Sequence, residues 1–219
     1  MPMNVSTSIS RVSSYYTRQG FWATIRRAGL AARRTLLSNR MALFYCDLAR
    51  QRSSGSASPK SLAIERKRNE GELSKRDLED ITSFWNPTLA VRNVKERFGN
   101  GATLWLIRSE GRLAGYGWTL TGRTIEPHYF RLGTNDVHLF DFHVFPQYRG
   151  RGLNPSLVTH ILYTLSMEGM SRAFIEAAEW NQAQLLSLSK TPFRPLAWGR
   201  KLPILGGTLV WWSPESPRR

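Results

Sequence analysis

The sequence predicts a mixed α/β (α+β) fold, a mostly antiparallel sheet flanked by helices, behind a basic N-terminal helical extension. Three observations lead there. Strand-like and helix-like runs follow the order strand, two helices, antiparallel strands, then strand, helix, strand, helix, strands. One strand-to-helix corner, PQYRGRGLNPS at residues 146–156, concentrates arginine and glycine. Positive charge is crowded at the start: residues 1–60 hold ten Lys and Arg against Asp47 alone, a net +9 of the chain's +15.

In the extension, Phe21, Trp22, Ile25, Ala28, Gly29, Ala32 and Leu36 recur near helical spacing, with Arg26, Arg27, Arg33 and Arg34 beside them. This suits an interfacial helix with snorkelling arginines, or equally a helix packed on the main domain. MALFYCDL (41–48) reads as a buried strand and QRSSGSASPK (51–60) as a flexible connector. The expected division is therefore a basic extension over 1–57, a catalytic-size domain over 58–213 and a short tail over 214–219. SLAIERKR resumes strand alternation. Ser74 and Asp77 resemble a capping box with Asp in place of Glu, opening a helix through SKRDLEDITSFW. Pro87 interrupts it, and TLAVRNVKERFGNG supplies a second helix ending near Gly99. ATLWLIRSEGRLAGYGWTL is a hairpin turning at Glu110-Gly111. VHLFDFHVF is a strand, LNPSLVTHILYTLSMEG a helix, RAFIEAAEW a strand, NQAQLLSLSK a short helix and LAWGRKLPILGGTLVWW a terminal strand pair.

With 219 residues and 41% hydrophobic content, the chain can bury one substantial core. Cys46 is the only cysteine, so an intrachain disulfide and a Cys-based zinc site are excluded, and no metal is expected. The chain has no apolar run of about 18 residues and no secretory-type apolar core, so a cytoplasmic protein is expected, peripheral on the inner face of a membrane if the basic helix lies there. Such a helix suits an anionic membrane surface or an acidic carrier protein. A nucleic-acid-binding or regulatory module is the non-enzymatic alternative. No base-reading motif supports it, and no nucleic acid is expected.

The corner at 146–156 has the makings of an anion cradle. Glycine lets the backbone turn sharply and lets a ligand approach the main chain, while a helix starting there directs unpaired N–H groups outward. Asn154 followed by Pro155 marks the helix start, with Asn as the expected N-cap and Pro in the first turn.

Val144, Pro146, Tyr148, Arg149, Gly150 and Gly152, between a strand and a helix, resemble the signature of the GNAT superfamily of acyl-CoA-dependent N-acyltransferases. The resemblance runs from about Ser61 to Trp212. Asn181 and Phe193 match the family's downstream spacing, but Pro192 replaces a Gly, Leu188 stands where a Tyr is usual, and Asn154 where Gly or Ala is usual. The resemblance implies a GNAT fold, with the sheet splayed at the acyl-CoA site. The pyrophosphate of acetyl-CoA or another acyl-CoA would lie on the N–H groups of residues 149–154, with Arg149, Arg151, Gly150, Gly152, Leu153 and Asn154 around it. The pantetheine would run beside Phe142 and Val144, near Asn181.

The reaction implied is direct attack of a primary amine on the thioester. It needs a base for the amine proton and an oxyanion donor, for which a main-chain N–H around Phe142–Val144 is the family's usual choice. The position used for a base in some members, six residues before Val144, is His138, which could also be a solvated strand-entry residue. Asp141 and His143 fall on the opposite face by alternation, either as a pair or, if the strand is bulged, as candidate bases. Glu126 and His128 are further candidates from the preceding loop, and His160 is expected to be structural. Without the Tyr, Ser187, Ser189 or water would protonate a thiolate that needs little help, its pKa being about 8.5. A weak resemblance of the extension to bacterial surface-polysaccharide or lipid-pathway proteins suggests an amino sugar or other small amine as acceptor. Long-chain transfer from acyl carrier protein is the competing enzymatic reading.

Overall fold

The computed structural model describes residues 40–51, 62–83, 87–125, 128–204 and 207–213. The strands are β1 (Arg40–Asp47), β2 (Leu62–Lys67), β3 (Thr103–Ser109), β4 (Arg112–Thr121), β5 (Asp136–Val144), β6 (Arg172–Ala178), β7 (Arg194–Ile204) and β8 (Gly207–Ser213). The helices are α1 (Leu48–Gln51), α2 (Lys75–Thr82), α3 (Pro87–Gly99), α4 (Leu153–Met167) and α5 (Gln182–Leu188). All strands join one sheet in the order β2-β3-β4-β5-β6-β1-β7-β8. Its pairings are antiparallel except β5 with β6.

Local chemistry explains several boundaries. Ser74 Oγ accepts from the Asp77 backbone N–H at 3.0 Å and caps α2. The β3–β4 turn places both Glu110 and Gly111 at positive φ, 52° and 73°, the twist that suits a tight hairpin.

α4 lays Leu157, Ile161, Leu162 and Leu165 against Trp105, Ile107, Val137, Leu139, Ala173 and Ile175 on one face of the sheet. Each buried side chain of this size contributes about 1.5–3 kcal/mol, so this layer anchors the central strands. The opposite face carries α2 and α3, which seat Ile81 and Val94 near Leu104, Leu106, Tyr116 and Trp118. Beyond them, Tyr129 from the β4–β5 loop packs on Leu43 and Ala197.

Two expectations change here. β1 was grouped with the extension, yet it lies inside the sheet between β6 and β7 and buries Ala42, Leu43, Phe44 and Cys46. The boundary expected at residue 57 therefore does not bound the sheet. The physical reason is the apolar content of MALFYC, which is buried only if both faces are covered. The basic helix over 21–37, residues 52–60 of the connector and the tail lie outside the described residues, and Gln51 closes α1.

The second change concerns β5. Tyr116 pairs with His143 and Trp118 with Phe140, so Asp141 and Phe142 together oppose Gly117. Asp141 takes φ 50°, the left-handed conformation of a bulge. The extra residue inverts the side-chain alternation. Val137 and Leu139 before the bulge, and Phe142 and Val144 after it, thus pack with the α4-side core.

Candidate active site

β5 and β6 pair over three rungs, Asp136↔Arg172, Val137↔Ala173 and His138↔Phe174. β5 then continues to Val144 paired with β4 alone, so the two strands part beyond His138. This is the splay expected from the resemblance. At the open end lies a groove of about 500 Å³ lined by Phe142, Val144, Gly150, Gly152, Asn154 and Asn181, among others.

The glycine-rich corner forms the groove's outer end. Gly150 and Gly152 hold φ of 77° and 72°, and a Cβ on either would meet no atom within 4 Å. The space there is open to a large anion, and main-chain N–H groups ahead of a 15-residue helix suit a phosphate. Arg149 turns back, its Nε donating to Val144 O at 3.1 Å, and Arg151 lies over the Tyr148 ring at 5.6 Å. Leu153 is buried and opens α4. Asn154 is not the N-cap: Gly152 is, and Asn154 is the second residue of α4, donating from Nδ2 to Ser187 Oγ at 2.8 Å. It ties α4 to α5 across the groove floor instead. Asn181 caps α5, its Oδ1 accepting from Gln184 N at 3.2 Å.

The ring of Phe142 occupies the space over Gly117, where a Cβ would come within 2.3 Å of it. Leu188, at the usual Tyr position, is 1% exposed in the core, and Ser189 is exposed with its hydroxyl donating to Leu186 O. Ser187 lines the groove.

The bulge brings Asp141 and His143 to the α2/α3 face, which is also the face of His138. Asp141 is ion-paired to Arg97, whose guanidinium lies over the Trp118 and Phe140 rings. His143 stacks on Tyr116 at 5.7 Å and lines the groove. Burial first, then the nearby Arg149 charge, push its pKa down, while Asp141 pulls the other way. His160 contacts Trp105 edge-on, and burial pushes its pKa down. Glu126 lies outside the described residues.

His138 is 7% exposed and joins a cluster the sequence did not reveal. Its Nε2 lies 2.9 Å from Glu176 Oε2 on β6, just past the last shared rung. Glu176 Oε1 accepts from Lys201 Nζ at 3.1 Å, and His128 Nδ1 lies 3.6 Å from Oε2. Burial opposes ionisation of Glu176, but the His138 hydrogen bond and the charges of His138, Lys201 and His128 outweigh it and hold the carboxyl below its usual range. Because a carboxylate only accepts, His138 Nε2 must carry hydrogen, which leaves Nδ1 as the acceptor of a neutral ring. Burial moves His128 down to about 4, with His138 and Lys201 adding to the shift against Glu176. Glu176 could be suspected in the sequence only as a carboxylate on the alternation of an otherwise apolar strand, RAFIEAA.

Among the described residues, no helix is long and apolar enough to cross a membrane. Comparison with known proteins accords with this architecture. Solved structures resemble the chain at low identity: a tandem GNAT protein of the clavulanic acid biosynthesis pathway, with TM-score 0.55, 16% identity, and 88% of this chain and 59% of that one covered. A GNAT-family acetyltransferase from Colwellia psychrerythraea gives TM-score 0.51 at 11% identity, covering 71% of this chain and 52% of that one. The glucosamine N-acetyltransferase region of a fungal multi-domain β-N-acetylglucosaminidase gives 0.50 at 13%, covering 80% and 22%. The chain thus spans less than two thirds of the length of each. No curated protein matches by sequence. The acetyltransferase (GNAT) family model matches residues 70–185, more than half of the chain, from ahead of α2 to within α5, and the chain belongs to that family.

Proposed function

We propose that the chain is an acyl-CoA-dependent N-acyltransferase that moves an acetyl group to a primary amine by direct attack. The observation that carries this reading is the continuity of one groove, from the Cβ-free loop at Gly150 and Gly152 to the parting of β5 and β6. Main-chain N–H groups of 149–154 hold the pyrophosphate, and the unpaired edge of β5 at Phe142–Val144 accompanies the pantetheine. The bulge at Asp141–Phe142 reorients the backbone beside the thioester, where an N–H serves the developing oxyanion.

His138 Nδ1 accepts the proton of the attacking amine. Its Nε2–H donates to Glu176, which holds the ring in the useful tautomer and stabilises the imidazolium that forms. The C–N bond forms, the C–S bond breaks, and the thiolate leaves. Leu188 is buried and carries no proton, so Ser187, whose Oγ accepts from Asn154 and keeps its O–H free to donate, or solvent protonates that thiolate. A small amine such as an amino sugar suits the scale of the site.

A thermal-shift series with acetyl-CoA, free CoA and a long-chain acyl-CoA tests the donor, since a bound ligand stabilises by RT ln(1 + [L]/Kd). Release of free thiol across an amine panel then tests the reaction. Acetyl-CoA should shift the melting temperature and at least one amine should release thiol. No shift with any donor would overturn the reading.

A further inference from the structure

His128 is buried at 5% side-chain exposure, yet neither of its ring nitrogens has a hydrogen-bond partner. His138 Nδ1 shares that condition. A buried polar group left unpaired is costly, so His128, whose ring centroid lies 5.2 Å from that of His138 and whose Nδ1 faces the Glu176 carboxylate, calls for an occupant on its Nδ1 side. Their common neighbour is the Glu176 carboxylate, and one donor atom from each of the three lies within 4.8 Å of the others.

We propose that His128, His138 and Glu176 form a binding site for a divalent transition cation such as Zn²⁺. Two imidazoles and one carboxylate are a ligand set that such a cation takes, leaving a fourth position for water. Bonds of about 2.0–2.1 Å in a tetrahedral arrangement put ligand atoms roughly 3.3 Å apart. The Glu176–His138 and Glu176–His128 separations, 2.9 and 3.6 Å, already bracket that value. Only the two rings must close toward each other, and His128 comes from a loop residue rather than a strand. Lys201 holds the other Glu176 oxygen at 3.1 Å, as an outer partner that fixes the carboxylate's orientation.

Occupancy changes the chemistry of the site. A cation taking the His138 Nε2 lone pair moves the ring hydrogen to Nδ1, which can then no longer accept an amine proton. The bound cation is therefore an inhibitor of the transfer reaction proposed above, and that consequence rests on the reading of His138 as base. Binding itself does not.

The test uses the full chain, freed of metal with a chelator. Calorimetric titration with Zn²⁺ should give one site, and Co²⁺ should give the intense visible absorption of a low-coordinate centre. His128→Ala should weaken Zn²⁺ binding at least about tenfold, and Glu176→Gln, of nearly the same shape, should do the same if the alanine variant folds poorly. The remaining imidazole and thiol donors are His143, His160 and Cys46, so equal affinity in wild type and both variants would place the cation elsewhere and overturn the proposal. Absence of Zn²⁺ binding overturns it as well. A wild type that binds Zn²⁺ but transfers no acyl group in its absence would sink the functional reading and leave the cation site standing.

Discussion

His138 reaches Glu176 at 2.9 Å across the first gap where β5 and β6 cease to pair. The side-chain pair thus lies at the inner end of the fork, beside the last backbone rung, His138↔Phe174. Each strand keeps its other partner there, His138 opposite Leu120 on β4 and Glu176 opposite Leu43 on β1.

If His138 is the base, His138→Ala should lower kcat/KM by about 10²- to 10⁴-fold at neutral pH, the scale of a lost general base. The deficit should shrink as the pH rises and the free amine deprotonates itself, while CoA affinity stays unchanged. A pH-independent rate equal to wild type would move attention to His143, which lines the groove.

Gly152→Asp should abolish CoA binding, because it sets a negative side chain in the open space before the α4 N-terminus. Strain at φ 72° contributes to any substitution there, about 1–2 kcal/mol for an ordinary side chain. Gly152→Asn separates the two effects, since Asn tolerates that conformation and carries no charge. Asn should retain measurable affinity where Asp has none, as read by calorimetry with free CoA.

Gly117→Ala should destabilise the protein by about 1–3 kcal/mol, the usual range for overpacking. The new Cβ would lie 2.3 Å from the Phe142 ring, which must leave its place beside the groove. Urea unfolding measures the loss, and KM for acetyl-CoA should rise with it. Unchanged stability would mean that the ring has room to move.

Acid should destabilise the fold through Arg108. Its guanidinium bonds Asp77 at 3.0 and 2.9 Å and also Glu65. Burial opposes the charge of Asp77, but hydrogen bonds from Arg108 and Ser74 and the charges of Arg108 and Lys67 outweigh it and lower its pKa; the Arg108 hydrogen bond does so for Glu65. Both folded values lie below the usual 3.8 and 4.5, so this stability is complete above them and lost as pH falls through the lower folded values. In Arg108→Met, Asp77 is left buried with only the Ser74 hydroxyl as side-chain partner, so stability at pH 7 should drop and the dependence on acid should flatten or reverse. Urea midpoints from pH 7 to 3 decide it.

Deleting residues 1–57 should prevent folding, because it removes β1 from between β6 and β7. Deleting residues 1–38 keeps β1 and should leave CoA binding intact. That shorter deletion also removes six of the ten Lys and Arg of residues 1–60, so the full chain should sediment with anionic liposomes at low salt and the shortened chain should not. Equal sedimentation would assign no membrane role to the extension.

The identity of most elements was legible in the residues themselves. Alternation, the Ser74 cap, the Glu110-Gly111 turn and the run PQYRGRG are local signals, decided by neighbours in the chain. They sufficed for the order of strands and helices, for the glycine-rich cradle and for the family resemblance.

The tertiary structure alone decided what depends on partners far apart in sequence. β1 finds its place between two strands more than a hundred residues downstream, through the burial of both its faces. One extra residue at Asp141 turns His143 to the face of His138, a reversal that alternation cannot register because pairing, not the strand's own residues, creates the bulge. Glu176 becomes the partner of His138, and Lys201 its counter-ion, only because the sheet folds residues 38 and 25 positions apart into contact. Local patterns determined the elements, whereas long-range pairing and burial determined which of their side chains meet.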